Sequence, residues 1–163
     1  MTTLSRDADL RKNLITLLEG GEAHITFEDA VKGFPADRAG SRPEGVPHSA
    51  WELLEHLRIA QADILSFSQG QDYVELKWPD DYWPSSPAPG DKREWKASVE
   101  AVVKDRARFV EMVRDEQRDL FTPFPWGSGQ TLLREALLLA DHNSYHVGQL
   151  LVVRQLLGSS ALA

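Results

Sequence analysis

A chain of 163 residues fits one domain and is long enough to bury a sizeable core, so a single domain over residues 1–163 is expected. Its 25 acidic and 18 basic side chains give a formal charge of -7, which argues against a nucleic-acid partner because phosphate neutralisation needs a basic surface. Cysteine is absent, which excludes a disulfide framework, thiolate metal ligands and a cysteine nucleophile.

The polar start from Met1 to Asp7 has no basic segment followed by an apolar one, so no signal peptide is expected. The longest unbroken apolar run, Ala136 to Ala140, is far too short to span a bilayer. The expectation is a cytoplasmic protein with no membrane partner.

From Leu4 to Leu18 the apolar residues Leu10, Leu14, Leu17 and Leu18 recur at helical spacing, and Gly20-Gly21 stops the run. Residues 22 to 47 are broken by Gly33, Pro35, Gly40, Pro43, Gly45 and Pro47 and read as a long connection, with a helical turn or two after Thr26. Ser49 with Glu52 three residues on is a capping box, and it opens a second helix through His56 to about Ser68.

Residues 71 to 90 carry Trp78-Pro79, Trp83-Pro84, Pro87 and Pro89, which rules out a regular helix or central strand and predicts an ordered aromatic loop. Asp91, with Glu94 three later, opens a third helix whose apolar positions run from Trp95 to Val113 and which is expected to reach about Gln117. Pro123, Pro125, Gly127 and Gly129 make the third connection. Thr131 caps a fourth helix that ends before Gly158. The pattern predicts an all-α four-helix bundle with long, proline- and aromatic-rich connecting loops.

The last helix carries the chemistry. In Asp141-His142-Asn143-Ser144-Tyr145-His146 the two histidines lie four residues apart, on one helical face, a common way to hold a divalent metal. On the helical wheel they share an inward arc with Glu135, Gln149, Leu138 and Leu139. Spacing alone leaves a hydrogen-bonded or solvated pair equally open. His56 lies on the mostly apolar face of the second helix with Asp63 one heptad beyond; taken alone it reads as a satisfied core histidine, with Glu52 one turn back as partner. Three inward histidines together favour a shared ion, because each buried imidazole must find a partner. His48 is read as serving the turn before the second helix, and His24 as bordering a pocket or facing water. Trp51 and Trp95 are read as core.

The stretches Trp51-Glu52-Leu53-Leu54-Glu55-His56-Leu57 and Asp141 to Gln149 together resemble the DinB-like superfamily of small metal-binding proteins, over nearly the whole chain. That resemblance implies a four-helix bundle with an unusual order of helix directions, a homodimer, and a divalent ion held by His56, His142 and His146. The superfamily includes transferases and isomerases that use low-molecular-weight bacterial thiols, which makes such a thiol a candidate cosubstrate.

Three neutral imidazoles leave positions on an ion open to water or substrate. The leading expectation is a metal-dependent transferase or hydrolase acting on a small molecule, with Glu135, Gln149 and Asp63 as candidates to orient imidazoles or accept a proton. The alternatives are a non-enzymatic bundle stapled by its ion, a small-ligand sensor, and a plain helical bundle without metal. Zinc, nickel, manganese and iron all suit the site.

Overall fold

The computed structural model describes residues 3–70 and 72–158, with side chains from residue 6 onward. Among the described residues the chain is all-helical and holds no strand; one isolated bridge joins Pro123 to Thr131. The helices are α1 (Thr3–Glu19), α2 (Phe27–Val31), α3 (Ala50–Gln69), α4 (Lys92–Arg114) and α5 (Leu132–Leu156), with short 3-10 turns at Ala36–Arg38 and Asp80–Tyr82. No helix among the described residues is long and apolar enough to cross a membrane.

The caps account for where the helices begin. Ser49 Oγ accepts from the Glu52 amide while Glu52 Oε2 accepts from the Ser49 amide at 2.8 Å, so each of two amides without a partner inside α3 is met by the other residue's side chain. Asp91 accepts from the amides of Arg93 and Glu94 at the head of α4, Thr131 from that of Arg134 at the head of α5, and Thr26 from that of Asp29 at α2. Gly20, at φ 78°, takes the chain out of α1 through the left-handed region.

Helix α4 stops at Arg114, short of the expected Gln117. Asp115 turns extended and its carboxylate accepts the Gln117 amide at 3.0 Å, a local turn that competes with further helix. Arg11 of α1 holds this end. Its Nη1 donates to the carbonyls of Val113 (2.7 Å) and Asp115 (3.1 Å), and its Nη2 to that of Arg118 (2.8 Å). Arg11 is buried, so Arg11→Met should leave the buried Val113 carbonyl unpaired, hand the part-buried carbonyls of Asp115 and Arg118 to water, and lower stability by about 1–3 kcal/mol. The expected readout is a lower urea midpoint with an unchanged slope.

Helix α3 packs along both α4 and α5, α1 lies against the same two, and α2 covers part of α5. The apolar core is in two parts. One gathers Trp51, Leu54, Leu57, Trp95, Val102 and Val147; the other gathers Leu14, Leu65, Phe109, Val113, Leu132 and Leu139. On α5 the break falls between Ala140 and Val147, and on α3 between Leu57 and Ile64. Polar side chains fill that layer: His142, Asn143 and His146 on α5, Gln61 on α3, with His56 at its edge. Such a layer is tolerable only if its members bond to one another or to a guest.

Candidate metal centre

Helix α3 delivers His56, 3% exposed, and α5 delivers His142 and His146. The Nε2 atoms of His56 and His142 are 3.1 Å apart, the ring centroids of the three lie 4.5 to 5.0 Å from one another, and all three ligand atoms fall within 4.8 Å. The pair at i and i+4 is brought together by helical geometry, and the third member by the packing of α3 on α5.

Two of the rings are held through Nδ1. His56 Nδ1 lies 2.8 Å from the carbonyl of Tyr82; a carbonyl only accepts, so the proton sits on Nδ1 and the lone pair on Nε2. His146 Nδ1 meets Gln149 Oε1 at 2.8 Å, which selects the same tautomer. Next to His142, Asn143 donates to Gln61 Oε1 (3.0 Å) and Gln61 to the Val102 carbonyl of α4 (2.6 Å), a chain that ties this part of α5 to two neighbouring helices.

The electrostatics keep the rings neutral. Burial, with His56 adjacent, pushes His142 down to about 4; burial, with His142 adjacent, pushes His146 to about 4; burial lowers His56 as well. With its proton on Nδ1, His56 presents the Nε2 lone pair to His142 Nε2 at 3.1 Å, a distance at which His142 Nε2–H donates to it, while His142 Nδ1 is buried with no hydrogen-bond partner. A divalent ion would replace that proton, and the unpartnered His142 Nδ1 could then carry it. A three-imidazole donor set with no thiolate fits a divalent transition ion.

The loop after α3 covers this centre from outside. Trp83 stacks on His56 with centroids 4.1 Å apart and planes 6° apart, and His48 stacks on Trp83, also at 4.1 Å, so the indole lies between two imidazoles. Tyr82 ties the loop down twice: its carbonyl accepts from His56 Nδ1–H, and its hydroxyl donates to Asp63 Oδ2 at 2.7 Å. Burial and the Asp63 carboxylate push the Tyr82 phenol well up, so it remains a donor. Above the histidines opens a cavity of about 580 Å³, walled by Trp78, Tyr82, Trp83 and Tyr145.

The other candidates fall at different places. Gln149 touches His146 directly, and Asp63 reaches the triad only through Tyr82. Glu135, 2% exposed and raised in pKa by burial, accepts from Arg134 Nη1 at 2.7 Å and lines an adjoining polar cavity with Asp63 and Tyr73. It shares its face with His142, but seven residues along a helix is about 10 Å of depth. His24 meets Ser144 Oγ at 3.1 Å, and Trp51 and Trp95 are buried in the core. Five contributors, His48, Gln61, Tyr82, Trp83 and Asn143, were not singled out by periodicity. The proline-bounded tryptophans were the available signal for the loop; nothing marked the Tyr82 carbonyl.

An all-helical chain with a buried histidine triad at the floor of an aromatic cavity is thus in place. The chain belongs to the DinB superfamily, whose family model matches residues 22–150. Searches of curated proteins and of solved structures return no match.

Proposed function

We propose that His56, His142 and His146 hold one divalent ion and that the protein is a metal-dependent transferase or hydrolase acting on a small molecule, with a low-molecular-weight thiol as candidate cosubstrate. One observation carries this reading: three imidazoles kept neutral by burial each bring a ring nitrogen within 4.8 Å of the others at the floor of an open cavity. A closed structural site would have no such approach. Bound there, an ion supplies a Lewis acid that lowers the pKa of a coordinated water or thiol. The chain's own part is to fix the three rings through Tyr82, Gln149 and the packing of α5, and to narrow solvent access with the Trp78–Trp83 loop. Asp63, which accepts from the Tyr82 hydroxyl, is the carboxylate that lines the cavity and is placed to exchange a proton along its wall. The same reading takes the chain as one domain over residues 1–163, a four-helix bundle of α1, α3, α4 and α5; a homodimer and a cytoplasmic setting rest on the resemblance and the composition.

Elemental analysis of the purified protein tests it. The expected result is about one divalent ion per chain, lost in both His56→Ala and His142→Ala. Full occupancy in either variant, or no uptake after reloading with zinc, nickel, manganese or iron, refutes the site.

A further inference from the structure

We infer that the apolar groove beside the triad is a subsite for the hydrophobic tail of the ligand whose polar head reaches the ion, an inference that rests on the metal reading above. The groove runs between Val46-Pro47 and α5, is walled by Leu53, Val152 and Val153, and has a volume of about 410 Å³. Pro47, His48, Tyr145 and Gln149 line both this groove and the cavity over the histidines, so the two form one continuous cleft. A space of this size suits part of a small organic ligand. Neither part is lined by lysine or arginine, and Asp63 is the one carboxylate on either. A charged tail would find no counter-ion in the groove, so the tail is a neutral alkyl or aryl group.

The α5 side of the groove, open to solvent at Tyr145 and Val152, includes an exposed glycine that the fold does not call for. Gly148 lies inside α5, outside the left-handed region, and a Cβ added there would meet no atom within 4 Å. Glycine at such a position weakens a helix by about 1 kcal/mol relative to alanine. With no side chain there, the α5 backbone lies bare along the groove that Gly148 lines. A guest lying close against the α5 backbone accounts for that room, and continuity with the triad through His48, Tyr145 and Gln149 points to the ligand of the ion as that guest.

The test is a titration of alkyl hydroxamic acids, from acetohydroxamate to octanohydroxamate, into the zinc-loaded full chain and its Gly148→Ala and Gly148→Leu variants. Affinity should climb about three- to fourfold per methylene until the groove is filled. Gly148→Ala should melt at higher temperature than the parent, bind octanohydroxamate severalfold more weakly, and bind acetohydroxamate unchanged. Gly148→Leu should flatten the chain-length series. A flat series in the parent, or an unaltered one in Gly148→Leu, overturns the tail subsite. Should the chain take up no zinc, it is the metal reading that fails, and the groove is then probed alone with the neutral dye N-phenyl-1-naphthylamine on metal-free protein. Binding that octan-1-ol displaces and Gly148→Leu abolishes supports the apolar site; no binding overturns it. Self-association of the parent that Gly148→Leu abolishes assigns the groove to a second copy and likewise overturns the proposal.

Discussion

Acidifying the metal-free protein from pH 7 to pH 4 should remove roughly 4 kcal/mol of stability, most of it before the carboxylates begin to titrate. In an unfolded chain an imidazole takes its proton near pH 6.5, whereas in the folded protein burial holds His142 and His146 neutral down to about 4. Between those values the unfolded state binds more protons, so acid favours unfolding. The stability is fully present above about pH 6.5 and is lost as the pH falls towards 4, below which these groups change nothing further. Each ring contributes at most about 3 kcal/mol on this account, and the open side of the cavity reduces the sum. Glu135 works the other way: burial raises its pKa, so it is protonated first in the folded state and offsets part of the loss. Asp91 and Asp119, held below the usual carboxylate range by backbone and threonine hydrogen bonds respectively, add to acid lability only below about pH 4. Urea melts at stepped pH give the slope. A metal-free protein equally stable at pH 7 and pH 5 would mean that the rings are not held neutral.

Loading with a divalent ion at about a hundred- to a thousandfold over its Kd should add about 3–4 kcal/mol, and raise the melting midpoint by roughly 10 °C for a chain of this size. The shift should vanish in His56→Ala and His142→Ala. Because the folded imidazoles are already neutral, affinity should stay nearly level from pH 8 to about 5 and then fall, instead of declining from pH 6.5 as it would for free histidine. The same titration separates a catalytic ion from a structural staple. An ion at the floor of an open cavity should exchange readily with a competing chelator, while a closed staple should leave only as the protein unfolds.

Much of this was written locally in the sequence. The helix starts were legible because caps act over three residues: Ser49 with Glu52, Asp91 with Glu94 and Thr131 all lie where the helices begin. The pair His142 and His146 was legible because helical spacing places it on one face whatever the tertiary fold. His56 stood out by its inward arc, but only the packing of α3 on α5 brings it within 3.1 Å of His142. The loop contacts were not legible. His48 was read as a turn residue, yet it stacks on Trp83, and the acceptor that sets the His56 tautomer is a backbone carbonyl, which any residue type would supply. Likewise a wheel gives direction without depth, so Glu135 shares an arc with the histidines yet lies in the next cavity. The early end of α4 depended on Arg11, which comes from 102 residues away.

Separation along the chain also sets when the centre can form. His56 and His142 are 86 residues apart, and the loop that orients His56 lies between them. Closing so long a segment is entropically costly and is repaid only once α3, α4 and α5 have docked. The three histidines therefore come together only late on the route to the native state. Divalent ion should leave the refolding rate almost untouched and slow unfolding instead, so that the loaded protein gains its persistence from a longer native lifetime.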